Sequence, residues 1–253
     1  VTETKDSLRV TADHVKGREP PRRIRRVYKI VSLGEAEGKS RLLLDGKPAR
    51  TPMKLIMETP HRALAEAIAA EWDGQVENIF PETMPMTRLL ATAIDRIAPQ
   101  REAVLTALIE HVHADLLCYR ADHPPALAQR QRAAWQPVLD WLAATHGIAF
   151  DVVDGVMPHH QAADAVKAMD AAIRALDVNR LTAFQACAAA AGSLALALAL
   201  VHGRVTGDQV FAATNIDESF QMETWGDDDL ARERRDSIAK DIAAAADFLR
   251  LTA

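Results

Sequence analysis

Gly34-Glu35-Ala36-Glu37-Gly38-Lys39-Ser40 sets two glycines ahead of a Lys-Ser pair, the ingredients of a phosphate-binding loop. That loop needs four residues between its glycines and a strand-to-helix setting. Here three intervene, and strand-like sequence lies on both sides. The amides would not converge on one anion, so no nucleotide site is expected. His111, His113 and Asp115 have metal-ligand side chains. On a helix His111 and Asp115 share a face while His113 points away, and two ligands do not complete a site. His159-His160 add ligands only if the fold brings them near. A metal-dependent hydrolase using His111, Asp115 and His159 is therefore carried as the alternative function. Ser193 follows Gly192 inside the apolar run Ala186 to Val201, a poor place for a nucleophile. No GxSxG, HExxH or GxGxxG is present. Cys118 and Cys187 lie far apart in apolar helical patterns and read as buried free thiols. The expectation is no catalytic residue, no metal and no cofactor.

Two other segments set polar residues on apolar faces. In Glu71-Trp72-Asp73-Gly74-Gln75 an acidic, aromatic stretch carries a glycine that costs about 1 kcal/mol inside a helix. Trp72 reads as support for a surface more than as the surface itself. In Glu218-Ser219-Phe220-Gln221-Met222-Glu223-Thr224-Trp225-Gly226, helical spacing aligns Phe211, Asn215, Glu218, Met222 and Trp225. A carboxylate among Phe, Met and Trp must be paired or lie at an interface, because burying it alone is costly. Its partner is either an Arg of a neighbouring helix or a basic group on another protein. Met and Trp beside it suit an adaptable binding face.

The elements that position these residues change character near residue 60. Val27 to Val31 and Ser40 to Leu44 read as strands, with Asp45-Gly46 as a hairpin turn. Lys47 to Thr51 returns, and Leu55 to Glu58 adds a short strand. From Thr59, a candidate cap, the period becomes helical, with Leu64, Ile68, Trp72, Gln75 and Ile79 on one face. Helices follow over Thr87 to Ile97, along a stripe from Leu105 to Tyr119, and over Ala126 to Ala144. Pro137 marks a break or new start in the last of these, and Gly147 closes it. Ala162 to Leu176 is helical. A long buried helix capped by Asn179 is expected over Leu181 to His202. Thr206 and Gln209 match a capping box opening a helix that runs to Gly226, and Asp227 to Asp229 start the last one. The fold class expected is α+β: a small β-rich N-terminal domain followed by a larger all-helical C-terminal domain. The divisions are a disordered lead (1–20), a β-rich domain (21–60) and a helical domain (61–253).

Composition agrees. Aromatics are 5% of 253 residues, so the core rests on Ala, Leu, Val and Ile, which favours helices. A net charge of -5 gives no basic excess for nucleic acid, and Arg22-Arg23-Ile24-Arg25-Arg26 reads as a solvated approach to the first strand. The longest apolar run is too short for the ~20 residues that span a bilayer.

Taken in order, several segments resemble a known family. They are Val27-Tyr28-Lys29, Leu44-Asp45-Gly46-Lys47-Pro48 through Thr51-Pro52, Glu71-Trp72-Asp73-Gly74-Gln75, Met84-Pro85-Met86-Thr87 with Ala93-Ile94-Asp95, Leu116-Leu117-Cys118-Tyr119, Gln131 to Pro137, and Glu218 to Gly226. The chain resembles the ATP synthase assembly chaperones that act on the alpha subunit of the F-one sector, the ATP-twelve family. The resemblance spans roughly 26 to 250. It implies a non-enzymatic chaperone whose client is the unassembled alpha subunit. The client is shielded until the beta subunit displaces the chaperone. It also implies that Trp72 and Glu218 matter for that role, and the partner-binding set drawn from the two segments is Glu71, Trp72, Asp73, Gln75, Glu218, Gln221, Met222 and Trp225. A monomer when free, with no nucleic acid and no membrane insertion, is expected. The compartment expected is the bacterial cytoplasm, or the mitochondrial matrix for eukaryotic relatives.

Overall fold

The computed structural model describes residues 24–226 and 228–253. The expected disordered lead, along with Arg22, Arg23 and Asp227, lies outside these residues. The β region holds β1 (Ile24–Arg25), β2 (Val31–Ala36), β3 (Lys39–Leu44), β4 (Lys47–Pro48) and β5 (Glu58–Thr59). β2, β3 and β4 form an antiparallel meander, and β5 pairs with the other end of β3. Two tight hairpins set the register. Asp45 and Gly46 have φ of 49° and 76°, and Glu37 and Gly38 have 55° and 73°. Positive φ at both central residues is the turn whose twist matches paired strands. The segment that imitates a phosphate loop is thus the β2–β3 hairpin itself: Gly34 and Lys39 sit in its strands. The expected strand at Val27 to Val31 begins only at Val31. Asp45 explains this, because its carboxylate accepts from the Lys29 and Ile30 amides, which a strand would have used elsewhere.

Helix α1 (Arg62–Asp73) lies on β2 and β3 through Leu64, Ala65 and Ile68. It starts after Pro60-His61, while Thr59 ends β5, so Thr59 is not its cap. It stops at Asp73, and this corrects the expected stripe. Gln75 is buried beyond the helix, and Ile79 belongs to β6 (Asn78–Ile79), which pairs with β1. Next come α2 (Pro85–Thr92), ending in a π-helical turn, Ala93–Ile97, and α3 (Arg101–Ile109). Then 3-10 turns replace the expected helical stripe as far as Cys118. β7 (Tyr119–Arg120) runs parallel to β8 (Val153–Asp154), a small exception to an all-helical second part. Between them α4 (Pro125–His146) is 22 residues long and continues through Pro137 without a break; Gly147, at φ 67°, closes it.

The remaining helices are α5 (Ala163–Arg174), α6 (Val178–Ala191), α7 (Leu194–Val201), α8 (Gly207–Thr214), α9 (Ile216–Trp225) and α10 (Asp229–Leu251). The capping box of Thr206 and Gln209 forms at the start of α8. One core runs from Leu42 in β3 to Phe248 in α10, with α7 buried on every side. Three expectations fail here. Asp177, not Asn179, caps α6. The helix expected to reach Gly226 is split at Asn215, which lies outside the helical region at φ -104°, ψ 20°. The long helix expected over Leu181 to His202 is two helices, broken at Gly192-Ser193.

The second break has a visible cause. Asp115 is 1% exposed. Its carboxylate accepts from the Ser193 hydroxyl at 2.8 Å, the Ala195 amide at 2.9 Å and the Leu117 amide at 3.0 Å. Ser193 in turn accepts from the Leu196 amide as the α7 cap. One buried carboxylate therefore supplies acceptors for the amide-rich end of α7, where the helix dipole also favours negative charge. Burial pushes this carboxyl up, and the converging donors pull it down. Asp115→Ala strands those donors in the interior. It is expected to lower unfolding stability by about 3 kcal/mol, read by urea denaturation.

Candidate functional site

The Glu71 to Gln75 segment is held from inside. The Glu71 carboxylate accepts from the Met86 and Thr87 amides at 2.7 and 2.8 Å and from the Thr87 hydroxyl at 2.7 Å, so it caps α2 from α1. Burial raises its pKa while the Thr87 and Met86 donors oppose the rise. The Trp72 indole donates to Thr87 Oγ1 at 3.1 Å, and its ring sits 5.6 Å from that of Tyr28. The Tyr28 hydroxyl donates to the Trp72 carbonyl at 2.7 Å. Gln75 accepts from the Phe80 amide and donates to Glu71 and Thr83, which folds the chain back after α1. Arg26 stacks on Tyr28 and donates to the carbonyls of Asp73 and Gln75. Arg26, expected to be solvated, is thus a clamp. Of this set only Asp73 shows most of its side chain to solvent, at 72%. Around it Val76, Phe80, Ile24 and Val27 stay exposed on the β1–β6 ribbon and its flanks.

The second segment is α9. None of its described side chains is fully buried, although it carries Ile216, Phe220 and Met222. It leans on α4 and α8. Three polar ties fix it. Gln131 of α4, 1% exposed, donates to the Asp217 carboxylate at 2.6 Å and accepts from the Ala121 amide. Arg130 of α4 grips Glu223 through two bonds of 2.8 and 2.7 Å and lies over the Phe220 ring. Glu218 lies 3.6 Å from Arg235 of α10 and keeps 26% of its side chain exposed. Gln221 is exposed and Met222 half-buried. Trp225 closes the helix, and its side chain lies outside the described residues. Of the two readings of Glu218, the structure gives it an internal arginine partner and also leaves it partly accessible.

Both segments have ties to α10. Arg88 of α2, next to Thr87, lies 3.6 Å from Asp241, and Arg235 is six residues earlier on the same helix, about 9 Å along its axis. Sequence reasoning missed Asp217, Gln131, Arg130, Glu223 and Arg235. The signal for one of them was present: Gln131 is a polar residue on the buried stripe of α4.

The residues proposed for metal chemistry have other work. Asp115 serves α7. His159 faces Asp151 at 3.2 Å, and the His113 ring accepts from the Gln161 amide at 3.1 Å. Among the described residues, no three His, Cys, Asp or Glu side chains gather as a metal site. The hydrolase alternative finds no support. Among the same residues, no helix is long and apolar enough to cross a membrane. Burial pushes the Cys187 thiol up to about 12, and Cys118 is also raised, chiefly by burial.

Comparison with known proteins adds a second line. The family described as ATP12 chaperone protein matches residues 25–143. Protein atp12, mitochondrial, of Schizosaccharomyces pombe is 24% identical over 226 residues, covering 85% of this chain and 78% of that protein. The crystal structure of Atp12 from Paracoccus denitrificans is 37% identical, covers 91% of this chain and 99% of its own, and superposes with a TM-score of 0.84. The Atu1473 protein of Agrobacterium tumefaciens is 40% identical, with 89% and 85% covered and a TM-score of 0.83.

Glu71→Ala and Asp73→Ala separate scaffold from surface. The first uncaps α2 and is expected to lower stability by about 1–2 kcal/mol. The second removes a mostly exposed carboxylate 3.6 Å from Arg26, whose carbonyl bonds remain, and leaves the denaturation midpoint close to wild type. Chemical denaturation of both variants checks the contrast.

Proposed function

The chain belongs to the family of ATP12 chaperone proteins, and from that premise we propose that it binds the unassembled alpha subunit of the ATP synthase catalytic sector. It covers the alpha surface that the beta subunit later takes. No bond is made or broken in this activity. The observation that carries the reading is α9, an apolar-bearing helix with no fully buried described side chain, held in place by Asp217, Glu218 and Glu223. A helix so tethered and so little covered is suited to present a face to another protein.

The physics of such a chaperone is mass action. A subunit awaiting its ring exposes large apolar interfaces, which aggregate. A partner that binds the folded client at one hundred times its Kd stabilises it by about 2.7 kcal/mol, with no nucleotide. Release needs only a competitor with a larger complementary surface. In this reading Glu218 has two states. Alone, it is held by Arg235; with the client, its exposed part meets a basic group. Gln221, Met222 and Trp225 extend that contact, and the Glu71 to Gln75 knot holds α2 and the exposed Asp73 in position. The bacterial relatives favour the cytoplasm as the compartment.

Isolated alpha subunit warmed without nucleotide should scatter light, and an equimolar amount of this chain should suppress the scattering. Glu218→Lys should weaken capture by about tenfold or more; because it also replaces the Arg235 tie with a like charge, the melting midpoint should fall somewhat while the far-UV circular dichroism spectrum stays helical. Undiminished aggregation in the presence of the wild-type chain would sink the function. Full protection by the variant would sink the role of Glu218 alone.

A further inference from the structure

Between α4, α8 and α9 lies an open groove of about 710 Å³. Its walls carry Ala133, Ala134 and Pro137 of α4 and Ala212 of α8, with Ile216 and Ser219 of α9 continuing it. Such small side chains let another backbone approach closely, and ridges of a further helix can settle between two helices in this way.

The charges of the groove are one-sided. No lining residue is Asp or Glu. Arg130 is already held by Glu223. Arg204 is exposed and, among the described residues, makes no side-chain hydrogen bond or ion pair. A cation on the lip of an apolar groove with no acidic wall is complementary to an apolar segment bearing a carboxylate. Pro137 adds a second mark. It has no N–H, so the Ala133 carbonyl one turn earlier loses its helical donor. Both residues line the groove, so a small-residue, proline-bearing stretch of α4 forms the wall of a groove that also carries Arg204. The groove also shares α9 with the face that holds Glu218, since Ser219 and Met222 are one turn apart.

We propose that this groove receives an apolar helix of the client, carrying one carboxylate that pairs with Arg204. The inference rests on the client assignment above and adds a second contact to it. The Glu218 face meets a basic group of the client, and the groove meets an acidic helix.

The test uses the full-length chain and purified alpha subunit, with binding measured by titration. Arg204→Glu reverses the lip charge, Arg204→Lys keeps it, and Ala212→Trp fills the groove from an exposed position. Both sites are exposed, so melting midpoints should match the wild type. Arg204→Glu and Ala212→Trp should each weaken capture by about tenfold or more, while Arg204→Lys stays close to wild type. Unchanged binding by either of these two disruptive variants overturns the groove, even if Glu218→Lys remains defective and the client assignment stands. A wild-type chain that captures no alpha subunit overturns both together. A concentration-dependent dimer abolished by Ala212→Trp puts a second copy in the groove and overturns the client helix.

Discussion

A single buried carboxylate, that of Asp115, sets the geometry of the helical part. Placing a carboxyl group at 1% exposure is costly unless its oxygens are hydrogen-bonded. Here the Ser193 hydroxyl and the Ala195 and Leu117 amides donate to them, and the Leu116 amide also bonds Gly192. The break between α6 and α7 follows from this demand. A continuous helix would engage the Ala195 amide internally and cost Asp115 that donor, leaving the Leu117 amide as its local partner. With the break, α7 turns into the centre of the core, and α4, α6, α8 and α10 all pack against it. Since α8 leads directly to α9, the orientation of the candidate surface derives from this interior contact.

Several signals whose partners lie within a few residues were readable, although Thr59 and Asn179 read as caps and do not cap. Asp45-Gly46 makes its hairpin, Thr206 and Gln209 cap each other, and Gly147 ends α4 in the left-handed region. The α+β division follows from the same local chemistry. Signals whose partners are distant were not readable. Asp115 acts 78 residues away, at Ser193. The Leu-Ala alternation after Ser193 can mimic a strand and reads as part of one long helix; Gly192, left-handed at the end of α6, and Ser193, the cap of α7, mark the break locally, but the carboxylate they answer to is distant. In the same way the sequence points to Glu71, Trp72 and Glu218 as unusual but conceals what they touch. Glu71 reaches Thr87 across a turn, Glu218 reaches Arg235 across another, and Asp217 reaches Gln131 at a separation of 86.

Those distant partners change how the two unusual segments are understood. Glu71, Trp72 and Gln75 form a knot that ties α1 to α2 and to the first strand region, with Arg26 and Tyr28 closing it. Its effect at any surface is indirect, through the position of α2. The α9 segment is the reverse. Its polar residues hold a helix at the periphery, and its apolar ones remain only partly covered. A rigid, lightly covered helix binds with little ordering cost.

Helix α10 supplies Arg235 to Glu218 and fills the core with Ile242, Ala245 and Phe248. It follows α9 in the chain, so translation delivers it afterwards. Until it docks, Glu218 lacks its arginine and α6 lacks its longest neighbour. A nascent chain that has emerged only as far as α9 therefore holds an unfinished surface, completed only when the last helix arrives.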